Sequence, residues 1–484
     1  MRQPFKIQLL QALLALILAG LASWSTAGSG SADRVRQMTE PVFGSKIFVD
    51  EYGIDNKNVA ILVHGLGDAG AADWAKLAPR LARRFHLVVP DLPGFGRSEK
   101  GNKQYSPDYY SQMLDWLIRE YSPDQPVTLI GHSMGGAISV LHAGKYPEQV
   151  EKLVVIDAAG ILHRTLITKY MTKVDSDGFL RGLIKPAIRG VNAVTGKLIG
   201  AVETRKTPEE LQRILARPDL RQKYLDGDPG RISAVALITT DFSEALEQVR
   251  APSLVIWGRD DKVAPLRTGY TLANNLPQSR FRIIDYAGHA PINTKPQDVA
   301  RLILDYLDDS QGDSHGADAN AVSHSSPARC TKESNVRYTG NFRHMIIRGC
   351  KQVTIENATV ESIEIRNSHV TIRNSIISGS DIGINMINGH LYIENSNIAA
   401  SDIGLKTWSA NVTVSGARIE AATAVYSLGS NLDLAGANLL GTREALKIVR
   451  HRVDDVLFSA SRTRSPNGKH YLHGIHKIRR NAPL

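Results

Sequence analysis

The pentapeptide Gly131-His132-Ser133-Met134-Gly135 follows an apolar run, Val127-Thr-Leu-Ile130, and opens the helical stretch Gly136-Ala-Ile-Ser-Val-Leu-His142. A chain passes from a buried strand to a helix over so few residues only through a sharp, strained turn. Such a turn tolerates no bulk on either side of its central residue. Gly131 and Gly135 meet that demand. They leave Ser133 at the tip, with the positive end of the following helix directed at any charge that develops there. This single passage calls for a buried strand, a helix packed closely on it and a serine placed as a nucleophile.

The runs that flank it fill in a sheet. Ala60-Ile-Leu-Val63, His86-Leu-Val-Val89, Leu153-Val-Val-Ile156, Leu254-Val-Ile-Trp257 and Phe281-Arg-Ile-Ile284 are short and mostly continuous in apolar character. That pattern suits parallel strands buried on both faces. Helical segments alternate with them, and right-handed crossovers then give a doubly wound α/β sheet. One helix start is explicit: Ser106-Pro107-Asp108 supplies a cap, a proline in the first turn and an acid at the positive dipole end. Between residues 158 and 249 the alternation lapses into helical pattern, which reads as an insertion between two strands, a helical cap.

A serine nucleophile needs a base, and the base needs an orienting acid. Gly258-Arg-Asp-Asp261 and Asp285-Tyr-Ala-Gly288-His289 each follow a strand, so their acids and the histidine fall on the carboxyl edge of the sheet with Ser133. The expected catalytic group is Ser133, His289 and Asp261, with the neighbouring Asp260 as the competing acid. His64-Gly65-Leu66-Gly67 follows the first run. Its glycines allow close backbone approach, so the amides of Leu66 and Met134 are the expected oxyanion hole. The tight loop Asp91-Leu-Pro-Gly-Phe-Gly-Arg-Ser98 reads as structural. No metal spacing and no cofactor fingerprint accompany these motifs, and none is expected.

Residues 46–309 resemble the α/β-hydrolase superfamily, in the branch that holds carboxylesterases, proline iminopeptidases and C–C bond hydrolases. The resemblance rests on His64-Gly-Leu-Gly67, Asp91–Ser98, Gly131–Gly135, Gly258–Asp261 and Gly288-His289. It implies a serine triad in which the acid stands three residues after Gly258, at Asp261, and a cap formed by residues 158–249. It implies hydrolysis of an ester by way of an acyl-enzyme, with C–C or amide cleavage by the same triad as the alternative. The substrate would be a small or lipid-like acyl compound.

Residues 310–329 are polar and rich in Gly and Ser, a linker. Beyond it Val353-Thr-Ile-Glu-Asn, Val370-Thr-Ile-Arg-Asn, Leu391-Tyr-Ile-Glu-Asn, Val412-Thr-Val-Ser-Gly and Leu432-Asp-Leu-Ala-Gly recur at spacings of 17, 21, 21 and 20. A period near 20 with alternating apolar residues signals a solenoid. Ile355, Ile372, Ile393, Val414 and Leu434 would form one inward ladder, and Asn357, Asn374 and Asn395 would stack at a turn. Residues 330–445 resemble the right-handed parallel β-helix of pectin-lyase-like proteins. The outward residues Thr354, Thr371, Tyr392, Thr413 and Asp433 carry no paired acids, so this part reads as a spacer or a glycan-contacting platform. A protein whose work lies in that platform, an envelope scaffold, is the reading of a different class. Cys330 and Cys350 are the only cysteines and lie about one coil apart, which predicts a disulfide.

The formal charge of the 484 residues is +10. From Arg443 to Leu484 there are ten Lys and Arg against three acids, which reads as a basic, solvated tail over 446–484 or a contact for an anionic envelope surface or glycan. No nucleic-acid-binding motif is present. Arg2 and Lys6 precede the apolar Leu9–Ala22, and Ser25-Thr-Ala27 follows, so residues 1–27 read as a signal peptide or, less simply, as an inner-membrane anchor over residues 7–24. Either places the rest of the chain outside the cytoplasm, in the periplasm or beyond. Residues 28–45 read as a mobile stretch.

Overall fold

The computed structural model describes residues 31–162, 208–308, 327–449 and 454–478. The expected export segment 1–27, cap residues 163–207 and linker residues 309–326 lie outside the described residues. No helix among the described residues is long and apolar enough to cross a membrane.

The first eight strands form one sheet: β1 (Arg34–Thr39), β2 (Lys46–Tyr52), β3 (Val59–Val63), β4 (His86–Pro90), β5 (Val127–His132), β6 (Val150–Ile156), β7 (Ser253–Gly258) and β8 (Ser279–Ile284), in the order β1-β2-β4-β3-β5-β6-β7-β8. β3 to β8 are mutually parallel. Besides single turns, the described helices are α1 (Pro107–Tyr121), α2 (Met134–Lys145), α3 (Pro208–Ala216), α4 (Pro218–Leu225), α5 (Pro229–Thr239), α6 (Ser243–Gln248), α7 (Leu266–Asn275) and α8 (Pro296–Asp308). They cover both faces. Ile61 and Val63 pack with Leu114, Leu117 and Val140 on one side, while Ala60 and Leu62 pack with Leu77, Val299 and Ile303 on the other. Successive strand residues enter opposite cores, which is why the runs are continuously apolar. α1 starts where its cap predicts, with Ser106 Oγ accepting from the Tyr109 amide at 3.4 Å. α5 lies over the carboxyl edge: Pro229 meets Gly94, just after β4, and Leu237 meets Gly160, just after β6.

The stretch 28–45 is not wholly mobile. Arg34–Thr39 forms the edge strand β1, antiparallel to β2. The buried Glu40 carboxylate ends it by accepting from the amides of Val42 and Ser45, both at 2.7 Å, and Phe43 at 2.9 Å. β1 faces solvent along most of its length, so it lacks the apolar alternation that would betray a strand.

The second part of the chain is a parallel β-helix: β9 (Ala328–Thr331), β10 (Arg337–Arg348), β11 (Val353–Arg373), β12 (Ile376–Glu394), β13 (Asn397–Ser415), β14 (Arg418–Leu428), β15 (Asn431–Ala435), β16 (Asn438–Ile448) and β17 (Asp454–Ser465), with β18 (Gly468–Ile478) antiparallel on β17. Ile372 pairs with Ile393, Ile393 with Val414 and Val414 with Leu434, all fully buried. Two residues beyond each of the inward residues Ile355, Ile372, Ile393, Val414, Leu434 and Phe458 the backbone is left-handed, at Asn357, Asn374, Asn395, Gly416, Gly436 and Ala460. Asparagine tolerates that conformation and also stacks, with Asn395 Nδ2 donating to Asn374 Oδ1 at 2.9 Å.

The β-helix does not stop at 445: residues 454–478 of the expected basic tail form β17 and β18. β17 pairs with β15 and β16 and carries the buried Phe458 into the ladder. Basic residues obscured the repeat from Arg443 on, yet three of them pair with acids: Arg443 with Asp402 at 2.7 Å, Lys447 with Glu444 at 3.2 Å and Arg462 with Glu247 at 3.6 Å.

α7 docks the sheet domain on the β-helix at the turn positions that have lost their asparagine. Its backbone at Tyr270 and Thr271 lies on Gly416 and Gly436, and Asn275 Nδ2 donates to Ala460 O at 2.9 Å. Arg267 clasps Asp433 through both terminal nitrogens, at 2.9 and 3.0 Å. Asp433, read from sequence as part of an open platform, is therefore an interdomain anchor.

Cys330 and Cys350 are bonded, with Cα atoms 6.5 Å apart. They are not stacked neighbours. Cys330 pairs with Ile347, so the bond runs obliquely across the first coil.

This architecture has two measurable consequences. Cys350→Ser should lower stability by about 3 kcal/mol on the loop-entropy view, read by urea unfolding with and without reductant. Two alkylatable thiols in the wild-type protein from its native compartment would contradict the bond. Gly436→Asn should disrupt docking at a cost of about 1–3 kcal/mol, because its Cβ would fall 2.7 Å from Thr271 Cα. An increase in radius of gyration by small-angle scattering reads this out; an unchanged radius would mean that α7 gives way instead.

Candidate active site

The turn between β5 and α2 is as tight as its sequence demands. Ser133 has φ 53 and ψ −120. A Cβ on Gly135 would lie 2.1 Å from Val63 O, and one on Gly131 would lie 2.3 Å from Gly135 O. α2 is thus pressed against the end of β3, and only glycine permits it. Ser133 N donates to Ile156 O at 3.0 Å, which fixes the turn to β6.

The structure brings the three predicted residues into one hydrogen-bonded line. Ser133 Oγ stands 2.8 Å from His289 Nε2, and His289 Nδ1 stands 2.8 Å from Asp261 Oδ2. Asp261 is buried and also accepts from the amides of Val263 at 2.7 Å and Ala264 at 2.9 Å through Oδ1. Its two oxygens thus accept three hydrogen bonds, which fix the carboxylate in place. It keeps the proton of His289 on Nδ1, so Nε2 is free to accept from the serine hydroxyl. Asp260 is exposed and its amide donates to Ala287 O at 2.9 Å; its side chain takes no place in this line.

Met134 opens α2 and is buried, and Leu66 sits in the half-buried loop after β3. Gly65 in that loop is packed so near the nucleophile that a Cβ on it would lie 3.0 Å from Ser133 Cβ. The loop is braced by the buried His64, whose Nδ1 donates to Gly65 O at 2.7 Å while Nε2 accepts from Leu92 N at 3.0 Å. Burial lowers the pKa of His64, which favours this neutral form. The Asp91 loop is structural scaffolding: buried Asp91 accepts from Ala71 N and from Arg97 Nε, both at 2.6 Å.

Sequence reasoning passed over two buried residues beside this line. His132 is buried, and its Nε2 donates to His289 O at 2.7 Å, pinning the backbone of the base. Burial, then repulsion from His289, pushes its pKa down to about 3, so it stays neutral. Asp157 follows β6, and its Oδ1 accepts from Gly258 N at 2.8 Å. His132 fills a variable position of a motif recognised by its glycines and serine. Asp157 is a lone acid after a strand, without a signature. Among the described residues no group of three or more His, Cys, Asp or Glu converges as metal ligands would.

The model of the alpha/beta hydrolase fold matches residues 58–296, the span that supplies all three residues of the line. This domain belongs to the α/β-hydrolase fold family. The chain is 29% identical to Lipase 1 of Psychrobacter immobilis over 49% of its own length and 74% of that protein. It is 27% identical to the 2-hydroxy-6-oxo-6-(2'-aminophenyl)hexa-2,4-dienoic acid hydrolase of Metapseudomonas resinovorans, over 57% of this chain and 95% of that one. A solved esterase from Thermogutta terrifontis is 23% identical, covering 57% of this chain and 98% of that chain with a TM-score of 0.41. The hydrolase domain is therefore fused to a β-helix that the family model does not reach.

The geometry ranks the two acids. Asp261→Asn should lower kcat by about 10³–10⁴-fold by favouring the wrong imidazole tautomer, while Asp260→Asn should leave kcat near wild type. Steady-state turnover of a nitrophenyl ester checks this, and the opposite ranking would overturn the assignment.

Proposed function

We propose that the protein is a serine hydrolase that cleaves carboxylic esters through an acyl-enzyme, with Ser133 as nucleophile, His289 as general base and acid, and Asp261 as the orienting acid. The observation that carries this reading is the unbroken line from Ser133 Oγ to His289 Nε2 and from His289 Nδ1 to Asp261, each step 2.8 Å. Ser133 Oγ attacks the carbonyl carbon as its proton passes to Nε2. The imidazolium formed is stabilised by Asp261 and returns the proton to the leaving alcohol. Water then attacks the acyl-enzyme by the same route and frees the acid and Ser133. The amides of Met134, at the start of α2, and Leu66 are the proposed oxyanion donors. The substrate class is a small or lipid-like acyl compound, in line with the lipase and the dienoic acid hydrolase to which the chain is similar.

The work is done outside the cytoplasm on this proposal. The basic start Arg2 and Lys6 with the apolar Leu9–Ala22 supports export, as does the Cys330–Cys350 bond, which an oxidising compartment maintains. The thiol state of protein taken from its native compartment tests both together.

Wild-type protein should be labelled at Ser133 by a fluorophosphonate, and Ser133→Ala should lose both labelling and ester turnover, by on the order of 10⁴–10⁶ in kcat. Labelling that survives in Ser133→Ala, located by peptide mass spectrometry, would overturn the nucleophile. Assaying the wild type against esters, peptides and vinylogous diketones separates ester cleavage from C–C or amide cleavage by the ratio of kcat/KM values.

A further inference from the structure

Two carboxyl groups meet at the acid end of the proposed triad, and only one is supplied with donors. Asp261 accepts three hydrogen bonds, from Val263 N, Ala264 N and His289 Nδ1. Asp157 is fully buried and accepts one, from Gly258 N at 2.8 Å through Oδ1. Its Oδ2 is buried without a partner among the described residues, and the Asp261 carboxyl is near enough to act on it. Two neighbouring buried carboxylates repel each other strongly when both are ionised, so one of them keeps a proton. The donor inventory decides which. Protonating Asp261 would displace the bond from His289 Nδ1 at Oδ2 and weaken the two amide bonds at Oδ1. Asp157 has a bare oxygen that gains an acceptor on being protonated.

The backbone places Asp157 between the two halves of the site. It adopts the left-handed conformation, φ 44, immediately after β6. Its amide donates to Ile256 O of β7 at 3.1 Å, one residue after Ile156 O accepts from Ser133 N. Gly258, which Asp157 holds, is the last residue of β7 and the start of the loop that carries Asp261. A side chain that only filled space here would be apolar. A buried acid is costly unless it is neutral or paired.

We propose that Asp157 is a positioning residue of the hydrolase site: it stays protonated, donates its O–H to Asp261, and through Gly258 fixes the loop from which Asp261 orients His289. This rests on the serine-triad reading of the site. Burial raises the pKa of the Asp157 carboxyl well above the usual carboxylate range, and the charge of Asp261 raises it further. The titratable groups around His289 are then Asp261, His132 and Asp157, and burial favours the neutral form of the last two.

The test is the pH dependence of kcat/KM for a nitrophenyl ester in the full-length wild type, Asp157→Asn and Asp157→Ala, with Ser133→Ala as a control. Asparagine can accept from Gly258 N and donate an amide proton to Asp261, so Asp157→Asn should keep most of the activity and leave the acidic limb where it is. Asp157→Ala frees the Asp261 carboxylate and should lose about 10²-fold in kcat, as misplaced catalytic groups do, with KM little changed. If the acidic limb of Asp157→Asn moves down by about one pH unit, Asp157 carried a negative charge in the wild type and the proposal fails. If Asp157→Ala matches the wild type, the residue positions nothing and the proposal also fails. Should the alanine variant not fold, the asparagine profile decides alone. Turnover that persists in Ser133→Ala brings down the triad itself, an outcome distinct from either failure at Asp157.

Discussion

The contact between the first turn of α2 and the end of β3 is the constraint on which the rest of the hydrolase domain turns. With Gly135 against Val63 O and Gly131 against Gly135 O, the helix is too close to the sheet for any side chain at either position. The chain can leave β5 for α2 only through the strained conformation of Ser133. That strain costs on the order of 1–3 kcal/mol and persists because the surrounding strands determine it. In return the serine oxygen is held at the carboxyl edge, where the loops after β7 and β8 bring Asp261 and His289.

Of the acids on the loops at this edge, Asp261 is the one bonded to the ring of His289. His64 and His132 lie close by, but burial keeps both neutral, so each acts as a fixed donor and not as a competing base. His132 donates to the backbone of His289, and His64 joins the loop of Leu66 to Leu92. Both therefore restrict the motion of groups that must stay within a fraction of an ångström of their working positions. In so dry a setting a single anion beside the imidazole is enough to select its tautomer and to stabilise the cation that forms on it.

The same economy of side chains joins the two domains. The helix that follows the Asp261 loop, α7, lies on the β-helix at Gly416, Gly436 and Ala460, while the earlier coils carry Asn357, Asn374 and Asn395 at the equivalent turns. Asparagine ladders stabilise coils that face solvent. Glycine in the same left-handed turn leaves room for a helix backbone. The Arg267–Asp433 pair, largely shielded from water, fixes the register of the contact. The acid loop and the domain interface are thereby successive segments of one chain.

Local sterics and periodicity are the parts of this structure that the sequence by itself determined. Gly131 and Gly135 declared the elbow, since no other residue fits there, and continuous apolar runs declared strands buried on both faces. The spacing of Ile355, Ile372, Ile393, Val414 and Leu434 declared the coils, because stacked strands repeat their inward residues. The order Ser133, Asp261, His289 was legible because each follows a strand. Only the tertiary structure decided the rest, for reasons that lie in contacts distant along the chain. β1 was illegible because an exposed edge strand needs no apolar face. The last coil was hidden because its basic residues read as a solvated tail, whereas Arg462 pairs with Glu247 of the sheet domain. Cys330 and Cys350 were near one coil apart in sequence, yet the register set them obliquely across the coil. Asp157 and His132 carry no pattern at all; their parts depend on where β6, β7 and the His289 loop converge, which is a property of the folded sheet and of no single segment.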